Sequence, residues 1–335
     1  MAIDPRFYEV SDFPSLASVA EQFGAEIQSQ LTPPLSGIGA LFDSRPGDIT
    51  FCEDKNALSE AGVTRASLCF VPLETNLQPG AEETLFVPVQ QPREVFLDLA
   101  NKHIQPIFET GSDRRPTVHP SAIIASTASI ATGAVIGPRT RIGPCAVIGP
   151  GVQIGHDCNI GANASIYFAL LGNHISVLAG ARVGEAGFGL MQTAIGLRDI
   201  PHFGRVILQD HVTFGANSCI DRGMLGDTVV GEGSKIDNHC HIGHNTVIGR
   251  NVVMAAFAGI SGSVIVGDGV QMGGRVGIVD HVMIGEGASL AADAAVFKSV
   301  PPEETWAGSP ARPLKQWQRE TVWLRRRTMD KGQKS

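Results

Sequence analysis

From Val230 to Val296 a large apolar residue stands at every sixth position, through Ile236, Ile242, Ile248, Met254, Ile260, Val266, Met272, Ile278, Ile284 and Leu290. An earlier run from Ile124 to Ile166 keeps the same spacing with isoleucine alone. The residue two places before each of these isoleucines is Ala, Thr, Val or Cys, and Gly often follows. A period of six is neither the 3.6 of a helix nor the 2 of a free strand, and it predicts a parallel β-helix. Each hexad supplies a short strand and a bend. Three hexads close a coil of about eighteen residues, and coils stack at the roughly 4.8 Å spacing of paired strands. The large residue points inward, the small one fills the narrowing toward a corner, and glycine tolerates the bend. A β-sandwich with accidental spacing is the competing reading.

The period divides the chain into three. Residues 1–105 lack it, carry mixed apolar runs such as SLCFVPL and EETLFVPV, and end in the helix-like REVFLDLANKHI, which predicts a small α/β domain. Residues 106–300 are the solenoid, with hexads from about 117. Residues 301–335 open with Pro301-Pro302 and predict a short C-terminal helix. Two stretches break the register, one between Val183 and Leu208 and one, DRGMLG, between Ile220 and Val230. They predict loops that leave the prism, where repeat proteins often carry binding residues.

Composition fits this fold, with 39 glycines, 6% aromatic and 43% apolar residues in a chain of 335. The six cysteines form no CxxC pair, and Cys158 and Cys240 hold the small inward position, so all are expected to be reduced. The N-terminal stretch resembles no secretory leader, and no apolar run reaches a membrane span, which predicts a cytoplasmic protein. Charge is uneven. Residues 311–335 carry a net +6 on a body of −13. Leu314, Trp317, Val322 and Leu324 are available to pack, with the basic groups on the outer side. That tail reads either as the solvated face of a capping helix or as a docking surface for an acidic protein. Nucleic acid is disfavoured by the acidic body and by the lack of aromatic-basic interleaving.

The segments AGFG, IPHFGRV, IDRG, KIDNHCHIGHNTVIG, ISGSVIVGD and MGGRVGIVDHVMIG, in this order, resemble the UDP-3-O-(3-hydroxyacyl)glucosamine N-acyltransferases of bacterial lipid A biosynthesis. The resemblance spans nearly the whole chain and implies a left-handed parallel β-helix. It implies transfer of a (3R)-3-hydroxyacyl group from acyl carrier protein to the 2-amino group of a UDP-linked 3-O-acylglucosamine, with no metal or cofactor. The histidine of the IGHN motif, His244, is then the general base, a task that suits an imidazole titrating near neutrality. Eighteen residues on, Gly262 falls beside His244, and its backbone N–H is the implied oxyanion donor. His281, two coils further and one position over, is implied to contact the hydroxyacyl chain. Asp237 and Asn238 are implied to line the acyl-donor cleft, and ordinary turn chemistry accounts for them equally well. Phe51 is the implied uracil-stacking aromatic of the N-terminal domain, or a core residue. The asparagine and tyrosine that often follow it in the family are Asp54 and Ala57 here. The family also implies a homotrimer with sites between subunits, and a reason for Arg319, Arg325, Arg326 and Arg327 to dock acyl carrier protein. Alanines in Ser289–Phe297 suggest a groove for a long acyl chain.

Three rivals share the prism. A UDP-N-acetylglucosamine O-acyltransferase usually starts directly with repeats. A γ-type carbonic anhydrase needs three histidines on zinc, for which His239 and His244 have suitable spacing but His202 lies across a register break. A noncatalytic scaffold would use the basic tail for assembly.

Overall fold

The computed structural model describes residues 3–25, 34–54, 64–75, 84–107, 115–193, 196–308 and 319–327. From Thr117 to Trp306 the chain winds through three parallel sheets of nine, ten and nine strands. One coil visits the first face at Val135–Ile136, the second at Arg141–Ile142 and the third at Val147–Ile148. The next coil pairs on it in register, Ile154 on Ile136, Ile160 on Ile142 and Ile166 on Ile148. This is a left-handed parallel β-helix.

Alternation along each two-residue strand explains the period. The second residue points inward and is buried from Ile136 to Val296, and the small residue two places earlier, such as Ala146, Cys158, Ala164 or Cys240, is buried beside it. Ile124 and Ile130 are only partly buried, since they belong to the first coil and lack a neighbour on one side. The corners hold non-glycine residues with positive φ, among them Asn217 (54°), Asn245 (58°) and His281 (57°), a conformation that asparagine accepts most readily. All six cysteines are unpaired, and four of them, Cys52, Cys69, Cys158 and Cys240, are buried.

Paired positions stand eighteen apart over most of the prism, as at Val229 and Val247. Both long exceptions are the register breaks. Ala169 pairs with Val206 and Arg205 with Asp227. The first excursion folds into an antiparallel hairpin of Leu190–Thr193 with Gly196–Asp199.

The N-terminal segment is built on a four-stranded parallel sheet of β2 (Gly37–Ile38), β3 (Asp48–Phe51), β4 (Leu68–Pro72) and β5 (Leu85–Val89). Helices α1 (Leu16–Phe23) and α2 (Pro92–His103) accompany it. Ser15 caps α1 by accepting from the Ser18 N–H, and Gly24 ends it in the left-handed conformation. Strands β1 (Tyr8–Val10) and β6 (Ile104–Pro106) pair antiparallel and lead toward the prism.

A charged joint ties the two parts together. Arg205 bonds Asp4 Oδ2 at 2.6 Å through Nη1 and grips Asp227 through Nε and Nη2, both at 2.9 Å. Burial by itself would raise the Asp4 pKa, but hydrogen bonds from Arg6 and Arg205 overcome it and hold the carboxyl at about 2. Tyr8 stacks on Phe168 at 5.2 Å and donates its hydroxyl to the His202 carbonyl at 3.1 Å.

Residues 319–327 are helical. Leu314, Trp317 and Ala57 lie outside the described residues. Val322 and Leu324 do not pack as the sequence suggested. They are exposed together with Trp323.

The inward stack carries the stability. Ile166→Ala, at a fully buried rung, should cost about 2–5 kcal/mol in denaturant unfolding, whereas Val253→Ala on the outer surface should change it by under about 1 kcal/mol.

Candidate active site

His244 stands at the corner between the third-face strand His241–Ile242 and the first-face strand Val247–Ile248. Its Nδ1 lies 3.1 Å from Asn245 Oδ1. The Asn245 amide is held from three sides: Oδ1 accepts from the Met224 N–H at 2.9 Å, Nδ2 donates to the Leu225 carbonyl at 3.1 Å, and its backbone N–H reaches Thr228 Oγ1 at 2.8 Å. An oxygen so fixed can only accept from the imidazole. Nδ1 is therefore the donor, and in the neutral ring the lone pair is on Nε2.

Nε2 faces Gly262. A β-carbon at position 262 would lie 2.7 Å from Nε2 and 2.8 Å from Cε1, so any side chain there would push the ring away. The eighteen-residue count thus holds, since Ile242 pairs with Ile260 and the corners follow in step. Gly262 gives its carbonyl to the His281 N–H at 3.3 Å, and its own N–H has no partner among the described residues.

The hairpin excursion closes on the other side of the ring. His202, almost fully buried, meets His244 edge to face with centroids 5.0 Å apart. Gly187 fits between them, where a β-carbon would come within 2.7 Å of both. His202 Nδ1 bonds the Ile200 carbonyl at 2.8 Å, and its Nε2 has no partner among the described residues. Burial, with a smaller effect from the neighbouring His244, pushes the His202 pKa down to about 4, so this ring is neutral at physiological pH.

A cavity of about 680 Å³ opens beside this corner, lined by His244, Gly262, His281, Asp221, Phe188 and Phe297, with the outer surface of the third face as its floor. Asp221, from the IDRG segment, lies 3.6 Å from His241 Nε2, and burial raises its pKa. The floor is bare. The outward residues on successive rungs are His241, Gly259, Gly277 and Ala295, paired in that order. A β-carbon at Gly259 or Gly277 would meet no atom within 4 Å, and neither has a positive φ, so neither crowding nor backbone conformation asks for glycine there. Phe188 and Phe297, 84% and 76% exposed, flank the trough.

The other candidates fall as follows. His281 lines the cavity and is exposed, with Nε2 4.0 Å from Asp280. Asp237 and Asn238 occupy the opposite edge of the third face, outside the lining. There Asn238 Oδ1 accepts from the Ala216 N–H at 2.7 Å, and Asp237 Oδ1 accepts from the Asn238 N–H at 2.7 Å. Phe51 ends β3, half-buried, with its ring 4.8 Å from Phe96 and the Arg93 guanidinium 5.8 Å from its centroid. It is far along the chain from the cavity lining and shares no residue with it. Arg319, Arg325, Arg326 and Arg327 are exposed on the terminal helical segment. His202 does reach His244 despite the register break, and it is His239 that stays away, stacked on Phe257 at another corner.

Residues 32–102 match the family described as UDP-3-O-(3-hydroxymyristoyl) glucosamine N-acyltransferase, LpxD, and residues 133–168 and 227–262 match the bacterial transferase hexapeptide repeat. The UDP-3-O-acylglucosamine N-acyltransferase of Caulobacter sp. (strain K31) is 45% identical over 339 residues, covering 98% of each chain. Its counterpart from Caulobacter vibrioides is 50% identical over 343 residues, again covering 98% of each. The chain belongs to the UDP-3-O-acylglucosamine N-acyltransferase family. Among solved structures, the UDP-N-acetylglucosamine acyltransferase of Francisella novicida is 25% identical, with a TM-score of 0.46 over 57% of this chain and 67% of that one.

Within this family member, sequence reasoning missed Asn245, His202, Gly187 and Phe188. Asn245 could have been read from its place next to the motif histidine. The others sit in the first register break, where counting by eighteen stops. No helix among the described residues is long and apolar enough to cross a membrane.

The neutral His202 has a stability signature. Its folded pKa of about 4 lies below the unfolded value of 6.5, so the unfolded chain binds more protons between these limits and stability should fall as pH drops from about 6.5 to 4. Urea unfolding across that window should show a shallower pH dependence in His202→Phe, and an unchanged slope would show that His202 is not the group responsible.

Proposed function

We propose that the protein transfers a (3R)-3-hydroxyacyl group from acyl carrier protein to the 2-amino group of UDP-3-O-(3-hydroxyacyl)glucosamine, forming UDP-2,3-diacylglucosamine in lipid A biosynthesis. The observation that carries this reading is Nε2 of His244, turned away from Asn245 and facing Gly262 above an open trough, in a member of this family.

The amine attacks the thioester carbonyl while His244 Nε2 takes its proton. The resulting imidazolium keeps its Nδ1–H on Asn245 Oδ1, which stabilises the charge and holds the ring in place. The tetrahedral oxyanion is within reach of the free Gly262 N–H, which can donate to it without competition from another acceptor. Collapse breaks the carbon–sulfur bond, and the imidazolium returns its proton to the departing thiolate. His244 ends as it began, with an amide and a free pantetheine thiol as products.

The acyl chain lies along Gly259, Gly277 and Ala295. From Gly259 to Ala295 the floor runs about 10 Å with nothing larger than a methyl on it, which suits a long donor. His281, on the same cavity, contacts the hydroxyacyl group. Uracil stacks on Phe51, with Asp54 and Ala57 in place of the family's second wall. The working unit is a homotrimer. Asp237 and Asn238 sit on the far edge of the catalytic face, so a neighbouring prism would bring its own copies into the cleft. Arg319, Arg325, Arg326 and Arg327 attract the acidic carrier protein.

The reading is tested with purified protein, 3-hydroxyacyl carrier protein and the UDP-sugar. His244→Ala should lower kcat by at least about 100-fold, and a smaller loss would remove His244 as the base. Asn245→Ala should lower kcat by roughly 10-fold or more with little change in KM, because it releases the tautomer and leaves the substrate contacts alone. In donor competition, Gly277→Leu should move preference to shorter chains. A wild-type protein already restricted to the shortest donors would contradict the trough assignment. Charge reversal at Arg325, Arg326 and Arg327 should raise KM for the carrier protein more than for the sugar nucleotide.

A further inference from the structure

The prism edge between the first and second faces contributes nothing to the catalytic cavity, yet it gathers His119, His156, His174 and His211, four of the ten histidines. We propose that His156, Asp157 and His174 on this edge form a binding site for a divalent zinc-class cation that clips two successive coils together.

The three side chains offer ligand atoms that all lie within 4.8 Å of one another, and side-chain rotation of about an ångström brings them to the roughly 3.4 Å separations of a tetrahedral ion with bonds of about 2.0–2.2 Å. His156 and Asp157 come from one coil and His174 from the next, where the His174 N–H bonds the His156 carbonyl at 3.0 Å. The rings are already oriented. His174 lies parallel to His211 with centroids 4.8 Å apart and presents itself edge-on to His156 at 5.0 Å. The backbone beneath is pinned, as Asn173 Oδ1 accepts from the His156 N–H at 3.0 Å and Asp210 accepts from the Asn173 N–H at 2.8 Å.

The donor set is ready for a cation. Asp157 Oδ1 is anchored by Arg139 Nε at 2.7 Å, while Oδ2 takes Arg139 Nη2 at 2.5 Å and faces His156 Nδ1 at 2.7 Å. A cation replaces the proton in that last bond, and His156 carries its hydrogen on Nε2 instead. Two imidazole nitrogens and one carboxylate favour zinc, nickel or cobalt over magnesium or calcium. The exposed Arg139 beside the carboxylate opposes the added charge, so binding should be micromolar and not as tight as a closed four-ligand site. The clip joins the two coils that precede the longest excursion in the prism, across which Ala169 pairs with Val206.

The test is titration of the full chain with zinc or cobalt, each metal alone, by calorimetry and by cobalt absorbance. Half-saturation near about 10 µM is expected for wild type, and His156→Ala and His174→Ala should each weaken it at least about 10-fold, with His119→Ala unchanged. Equal binding in wild type and the paired variant His156→Ala/His174→Ala would overturn the proposal, as would half-saturation above about 1 mM in wild type. Should the variants fold poorly, cobalt broadening of histidine NMR signals in the unmutated protein decides. Signals of His156 and His174 should broaden first, and earlier broadening of His241 or His244 would place the metal elsewhere.

Discussion

Everything in this molecule depends on the registry of one rung upon the next. Over most of the prism an inward apolar side chain rests on the one eighteen residues before it, and strand N–H groups bond carbonyls one coil away. A two-residue strand has almost no stability of its own. Stacked in a column of nine or ten, it loses little further entropy on ordering and gains both hydrogen bonds and apolar contact. A slip of one residue would turn every isoleucine outward, so the registry is held by the whole core at once. That rigidity turns the surface into a lattice, on which a side chain's position follows from its number.

The catalytic corner uses the lattice and then departs from it. His244 and Gly262 meet because they are lattice neighbours. What makes the histidine a base is irregular: the 222–226 loop, which escapes the repeat, presents Met224 and Leu225 to Asn245, and Asn245 then fixes the tautomer. The second irregular loop brings His202 and Gly187 against the opposite side of the ring. Two excursions thus meet at a single imidazole. The repeat supplies a rigid platform, and the polar chemistry is added where the repeat is broken.

The joint between the N-terminal segment and the prism follows the same economy. Asp4 and Asp227 share Arg205, a guanidinium held by two carboxylates, and Tyr8 reaches the carbonyl of the very His202 that borders the catalytic ring. The anchoring of the first residues is therefore continuous with the wall of the site. The bare trough of Gly259, Gly277 and Ala295 is the complementary case. No neighbouring atom and no positive φ asks for its glycines, and what they leave is open space above the face.

The sequence by itself determined the prism, its three faces and the adjacency of His244 and Gly262, because a strict period converts number into position. It also carried the family resemblance through IDRG and IGHN. Counting could not cross the two register breaks, so His202, 42 residues before His244, gave no sign that their rings touch. Nor could it say that Val322 and Leu324 of the terminal helix stay exposed. Those outcomes rest on how irregular loops and ends fold back onto the prism. Only the tertiary structure decides that, since the contacts join segments that share no repeat.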